Sequence, residues 1–265
     1  MARLWPLLRL LLLALALPGC PGSSSCPPRV DGSGARTVLV KGRVVDFETC
    51  LTTTGCQGIA GVRVALFFNN AVFSDPTPQS GAFSLSRVPD GARHFLLVTD
   101  NTGQVLPTLQ AEPLDTKGTD LFGIEIFAVR RVGGLYAGIS SEAAVDVNTH
   151  ALYIGQVLSI QNGKMKAIPD VSISSSPAAD IRYVNCIPTF SQCAGQTTLF
   201  ASRSSTGVFG EFAVIGTSGA KEHTIWGASS QYSFNATTAP LGLGYVTVGL
   251  HRSAGAAAPT ADGGP

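Results

Sequence analysis

The chain has 265 residues, of which only 13% are charged, and its formal net charge is +1. Removing Arg3 and Arg9 with the leader described below takes that balance to about −1, so no long-range field draws the mature protein to nucleic acid or anionic lipid. Ser, Thr, Gly, Val and Ala dominate, a composition that suits an exported β-protein better than a helical enzyme.

Residues 1–19 begin with Arg3 and Arg9 and contain the apolar run Leu10 to Leu17, the basic start and short greasy core of an export signal. A membrane-crossing helix needs roughly twenty such residues. The core leads into Leu17-Pro18-Gly19-Cys20, which resembles the lipobox of bacterial lipoproteins, with Pro18 as a departure from its usual small residue. The resemblance implies cleavage before Cys20, diacylglycerol on its thiol and acylation of its amine, so that two or three acyl chains hold the protein on a membrane. Pro21 stands where an aspartate would favour inner-membrane retention in enteric lipoproteins, so the expected address is the cell envelope, at the outer membrane. Ordinary signal cleavage is the alternative.

Residues 20–36 lack apolar periodicity and are expected to form a flexible tether. Six cysteines in an exported chain favour disulfides over metal, and no CxxC or HxxxH spacing suggests zinc. Cys50 with Cys56, and Cys186 with Cys193, are spaced to close short loops, each worth roughly 2–2.5 kcal/mol if unstrained. Cys26 is free, modified or intermolecular if Cys20 carries lipid; otherwise the two can close a third loop.

Beyond the tether, short β-branched or alternating runs are separated by Gly, Pro, Asp and Asn: TVLVKGRVVD at 37–46, GVRVALFF at 61–68, AFSLSR at 82–87, RHFLLVT at 93–99 and LFGIEIFAV at 121–129. Such strands pack as two facing sheets. GRVVD, GIAGVRVAL and SGAFSLSRVPDG together resemble the carboxypeptidase regulatory-like domain over residues 37–130. Gly42, Val62, Val64, Gly81, Phe83 and the turn Val88-Pro89-Asp90-Gly91 carry the match, which implies a transthyretin-like sandwich in an accessory module and no catalytic residue.

The second half reads as a divergent copy. YIGQVLSI at 153–160, IPDVSIS at 168–174, GEFAVIGTSG at 210–219, EHTIWGAS at 222–229 and LGYVTVGLH at 243–251 follow the same order. Gly42 to Val62 spans 20 positions against 16 for Gly155 to Val171, and Val62 to Phe83 spans 21 against 41 for Val171 to Phe212. Each longer interval contains a cysteine pair, as expected for stapled loop insertions. The expected fold is therefore all-β: two tandem transthyretin-like or immunoglobulin-like β-sandwiches at 37–130 and 151–252. Residues 131–150 connect them, with part of the segment expected as the final strand of the first copy or an added edge strand, and 253–265 form a disordered tail.

No catalytic constellation or cofactor motif stands out. There is no G-x-S-x-G elbow, and His94, His150, His223 and His251 are isolated in sequence. His94 and His223 occupy equivalent repeat positions, which suggests either a shared site or, more economically, tolerated strand positions. Glu125 and Glu211 are expected to point outward from half-exposed strands. DVNTHA at 146–151 spaces oxygen ligands like a calcium loop but lacks the turn glycine. Adhesin sandwiches with a Lys–Asn isopeptide bond draw attention to Lys41, whose plainer reading is a solvated edge charge and whose repeat equivalent is Ile154.

The aromatic loop at 183–196 is the segment expected to meet a partner, and Tyr183, Phe190 and Trp226 are candidate binding residues. The functional expectation is a non-enzymatic, lipid-anchored envelope protein with structural or protein-interaction modules. Its partners are the membrane, through the lipid, and an envelope protein. The alternative is a carbohydrate-binding module that contacts glycans.

Overall fold

A computed structural model describes residues 29–30, 35–50, 56–161, 164–216 and 221–256. Cys20, Cys26, the leader and the tail after residue 256 lie outside the described residues. In chain order the first half contains β1 (Arg29–Val30), β2 (Arg36–Asp46), the helical turn α1 (Phe47–Cys50), β3 (Arg63–Leu66), β4 (Asn69–Phe73), β5 (Ala82–Pro89), β6 (Arg93–His94), β7 (Leu96–Thr99), β8 (Thr108–Gln110), β9 (Leu114–Asp115) and β10 (Leu121–Ala128). Helix α2 (Leu135–Ala143) follows. The second half contains β11 (Ala151–Gln161), β12 (Lys164–Ala167), β13 (Ser172–Ser176), β14 (Asp180–Tyr183), β15 (Glu211–Gly216), β16 (Lys221–Ala228), β17 (Tyr232–Phe234), β18 (Thr237–Leu241) and β19 (Val246–Ala256). The fold is all-β.

Strand pairing repeats between the halves. Strand β2 lies between antiparallel β5 and parallel β10, and β11 lies between antiparallel β15 and parallel β19. Opposite them, β3-β7-β8 and β13-β16-β18 are antiparallel runs in the same order. Gly42 faces Phe83 across one ladder and Gly155 faces Phe212 across the other. Both positions require glycine for close approach: a Cβ would come within 2.8 Å of the Phe83 ring at Gly42 and within 2.3 Å of the Phe212 ring at Gly155.

A threonine clasp recurs as well. Thr77 Oγ1 accepts from the Val62 N–H and donates to the Ile59 carbonyl; Thr206 Oγ1 accepts from the Val171 N–H and donates to the Ile168 carbonyl. Four residues after each threonine a left-handed glycine accepts from the first strand, Gly81 from Val44 N–H and Gly210 from Val157 N–H. These bonds hold the entry to the second strand against the glycine hairpin in both halves.

The alternating strands bury one core between each pair of facing sheets. Val40, Val44, Val64, Leu85, Val98 and Ile126 pack in the first half. Tyr153, Val157, Phe212, Val214, Ile225 and Leu241 pack in the second. A third core joins the halves: Phe47, Leu106 and Val129 meet Leu152, Ile154, Val246 and Val248, with Leu135, Tyr136 and Ile139 of α2 closing over them. Strand β8 also pairs parallel with β19, matching Thr108 to Val246 and Gln110 to Val248, so one ten-stranded sheet runs through both halves.

The centre of segment 131–150 is a helix, neither a final strand of the first half nor an added edge strand. Its N-cap position is Gly134, which offers no side chain, and its amphipathic pattern is weak. Tertiary contacts stabilise it instead, because the apolar side chains of α2 enter a core supplied by both halves.

Candidate functional site

The junction between the halves is organised by a buried carboxylate. Glu48 is 3% exposed in turn α1. Its Oε1 accepts from the Leu135 N–H at 2.6 Å, at the start of α2, and its Oε2 accepts from the Thr189 hydroxyl at 3.0 Å. A side chain from the first half thereby satisfies an orphan helix donor and holds a loop of the second half. Burial raises its pKa, while the Leu135 and Thr189 hydrogen bonds act in the opposite direction. Gly134 makes room for it, since a Cβ there would lie 2.0 Å from Glu48 Oε1.

Both cysteine loops converge on this region. Cys50–Cys56 closes the loop leaving α1, and Cys186–Cys193 closes the loop that carries Thr189. Asp46, buried beside them, pairs with the Arg130 guanidinium. A second carboxylate, Glu211 on β15, is fully buried and corrects the outward orientation expected for it. The expectation treated β15 as half exposed, but the third core covers its other face. Gln156 Nε2 donates to Glu211 Oε1 at 3.0 Å, whereas Oε2 has no partner among the described residues. Burial drives the Glu211 pKa well above the usual carboxylate range, and the nearby Glu48 charge adds to the effect.

Beside the junction lies a cleft of about 500 Å³ between β10 and β19, adjoined by a recess of about 230 Å³. Gln110 closes one end. Its side-chain amide donates to the Phe127 carbonyl at 2.8 Å, and its carbonyl accepts from the Phe127 N–H at 2.9 Å, so one side chain replaces a strand neighbour for β10. Arg43, Glu125, Glu112 and Arg252 line the cleft with mixed charge around Leu114, Ile126 and Leu250. Glu125 is exposed, as expected, and faces Arg43 at 3.8 Å.

The three aromatic candidates do not converge. Tyr183 is 5% exposed, packs in the second-half core and accepts the Ile173 N–H on its hydroxyl at 2.9 Å. Phe190 packs edge-on against Phe209 at the third core. Trp226 is half-buried on β16 opposite Ser174. His94 bonds the Pro89 carbonyl, while His223 and His251 are buried. Tyr153 and His251 share a 2.8 Å hydrogen bond, and burial lowers the His251 pKa to about 4. Lys41 is exposed opposite Ser84, and Asp146 accepts from the Asn148 N–H within its own turn.

Sequence reasoning missed Glu48, Gln110 and the threonine clasps. Thr77 and Thr206 carried a usable signal, each standing four residues before a hairpin glycine; Glu48 and Gln110 act across long sequence distances and left none.

Neither a protein-family model nor a curated protein matches the chain. Among solved structures it is similar to the minor pilin GBS52 of Streptococcus agalactiae, at 10% identity and a TM-score of 0.26, over 86% of this chain and 100% of that one. It is also similar to the shaft pilin SpaA of Lactobacillus rhamnosus GG, at 10% identity and a TM-score of 0.25, over 83% and 98%. The Bacillus anthracis TIE protein aligns at 9% identity and a TM-score of 0.26, over 82% of this chain and 34% of that one. Scores of this size describe no close superposition, so the functional reading rests on the chain's own geometry.

Proposed function

We propose that this is a non-enzymatic cell-envelope protein, lipid-anchored through Cys20 at the outer membrane, whose two tandem sandwiches serve a structural or protein-interaction role. In this reading residues 1–19 are the leader and 20–36 the tether, whose end departs from a free linker because β1 and the first residue of β2 pair there; 37–130 is a carboxypeptidase regulatory-like sandwich, 131–150 the connection and 151–252 its divergent copy, and the 253–265 tail begins in strand, since β19 runs on to Ala256 beside β17. The observation that supports the structural role is the junction, while the anchor rests on the Leu17-Pro18-Gly19-Cys20 resemblance alone. The halves meet through a shared sheet, a buried apolar core and a carboxylate clasp between stapled loops. A joint of this kind holds two modules in one orientation, as a presenting scaffold requires, whereas polar interdomain contacts permit relative motion.

Intact mass spectrometry of protein extracted from membranes tests the anchor. The expected product begins at Cys20 and carries diacylglycerol with an added acyl chain, and Cys20→Ala moves the protein out of the membrane fraction. An unmodified chain, cleaved elsewhere and recovered soluble, would overturn the anchored reading.

A further inference from the structure

The cleft between β10 and β19 has the geometry of a vacant strand position. Phe127, Gln110 and Val248 lie abreast on β10, β8 and β19, because Gln110 bonds Phe127 through its side chain and pairs with Val248 in the sheet. Strand β8 ends at Gln110. On the line that β8 would have continued, β10 and β19 run on without it.

Backbone alternation determines which groups face that line. The N–H and C=O of one strand residue point to the same side, and those of the next point to the other. Phe127 addresses Gln110, away from β2, so Glu125 also directs its N–H and C=O away from β2 through the regular register 124–128. On β19, Val246 and Val248 bond the β8 side through Pro107 and Ala111. Leu250 and Arg252 therefore present their backbone groups on that same side while β11 pairs on the other. Glu125, Leu250 and Arg252 all line the cleft, and Gly123, at a bulge with φ of 71°, marks its far end.

We propose that this cleft receives an extended segment of another polypeptide, added as a strand in line with β8. The inference deepens the interaction reading above by naming the class of partner. Open strand edges recognise main chain, which gives affinity, and the neighbouring side chains select sequence. The flanks suit a polypeptide rather than a compact ligand: backbone groups on both sides that have no partner among the described residues, apolar Leu114, Ile126 and Leu250, and the charged Arg43, Arg252 and Glu112.

The full-length chain is exposed to a phage-displayed random peptide library, and enriched peptides are measured by fluorescence anisotropy. Glu125→Pro removes one backbone group, the N–H that faces the cleft, together with the carboxylate beside Arg43; an edge strand tolerates the change, and circular dichroism checks the fold. It is expected to weaken binding about tenfold, while Glu125→Ala, which keeps the N–H, changes it less than about threefold. Failure to enrich peptides, or equal binding to the folded proline variant, would overturn the proposal. Hydrogen exchange supplies the competing occupant: if the Glu125 and Leu250 amides are protected in the free protein and become exposed on deleting 257–265, the chain's own tail fills the position and the foreign strand is ruled out. Loss of the lipid anchor would leave all these outcomes unchanged, so the two readings fail separately.

Discussion

Strands β2 and β11 occupy equivalent places in the two halves but differ in surroundings. In β2 the exposed Lys41 and Arg43 leave one stretch facing solvent, whereas Ala151 to Ser159 of β11 are buried without interruption. Both strands pair with the same two types of neighbour, so topology does not cause the difference. It arises because α2, the loop closed by Cys186–Cys193 and part of the first half cover the outer face of β11. A strand's burial pattern thus reports what lies on each of its faces, and the same ladder can serve as a surface in one copy and an interior layer in the other.

The sharpest test exchanges character at equivalent positions. Ile154→Lys places an ammonium in the third core and is expected to cost at least about 4 kcal/mol by chemical denaturation. Lys41→Ile should stay within about 0.5 kcal/mol. Similar costs for the two would show that β11 is not covered as described.

The interior of the second half should also give its stability a characteristic pH response. His251 titrates near 4 when folded and near 6.5 when unfolded, so the unfolded chain binds more protons between those values. Stability from this site is complete above about 6.5 and falls by roughly 3 kcal/mol as pH drops to about 4. Glu211 acts with the opposite sign: its raised pKa makes the folded state bind the extra proton above about 4.5, so its contribution declines as pH rises. Glu211→Gln should therefore stabilise the protein at pH 7 and lose that advantage toward pH 4; an unchanged melting temperature at pH 7 would count against a raised Glu211 pKa.

Glu48→Ala removes the acceptor for both Leu135 and Thr189 and should cost about 2 kcal/mol, with increased amide exchange confined first to α2. The threonine clasps should show the least contrast. Thr77→Val and Thr206→Val are each expected to cost about 1–2 kcal/mol, and nearly the same amount, because each removes the same pair of bonds. A large inequality would mean that the clasps are only superficially alike.

Much of the repeated ladder was legible in local pattern. GRVVD and YIGQVLSI carry the central strands, G-x-F places Phe83 and Phe212 opposite Gly42 and Gly155, and the close cysteine pairs match the two disulfides. The pairing of β8 with β19 was not, because it joins distant segments and three residues of β8 give no periodicity. Helix α2 was hidden for a related reason: its first donor is satisfied by Glu48 rather than by a neighbouring cap. Glu211 was misread because half-exposed strands are the ordinary case, and only the third core shows otherwise. Tyr183 and Phe190 looked available within a loop, but the insertion turns them inward as packing for the sheet beneath.

The β8–β19 ladder also bears on biogenesis. During synthesis β8 emerges long before the strand that completes its edge, so the leading half can close its own core while a short row of main-chain donors and acceptors waits beside apolar Leu106 and Val129. A product truncated before Val246 would keep that row permanently open, making incomplete chains the species most prone to self-association.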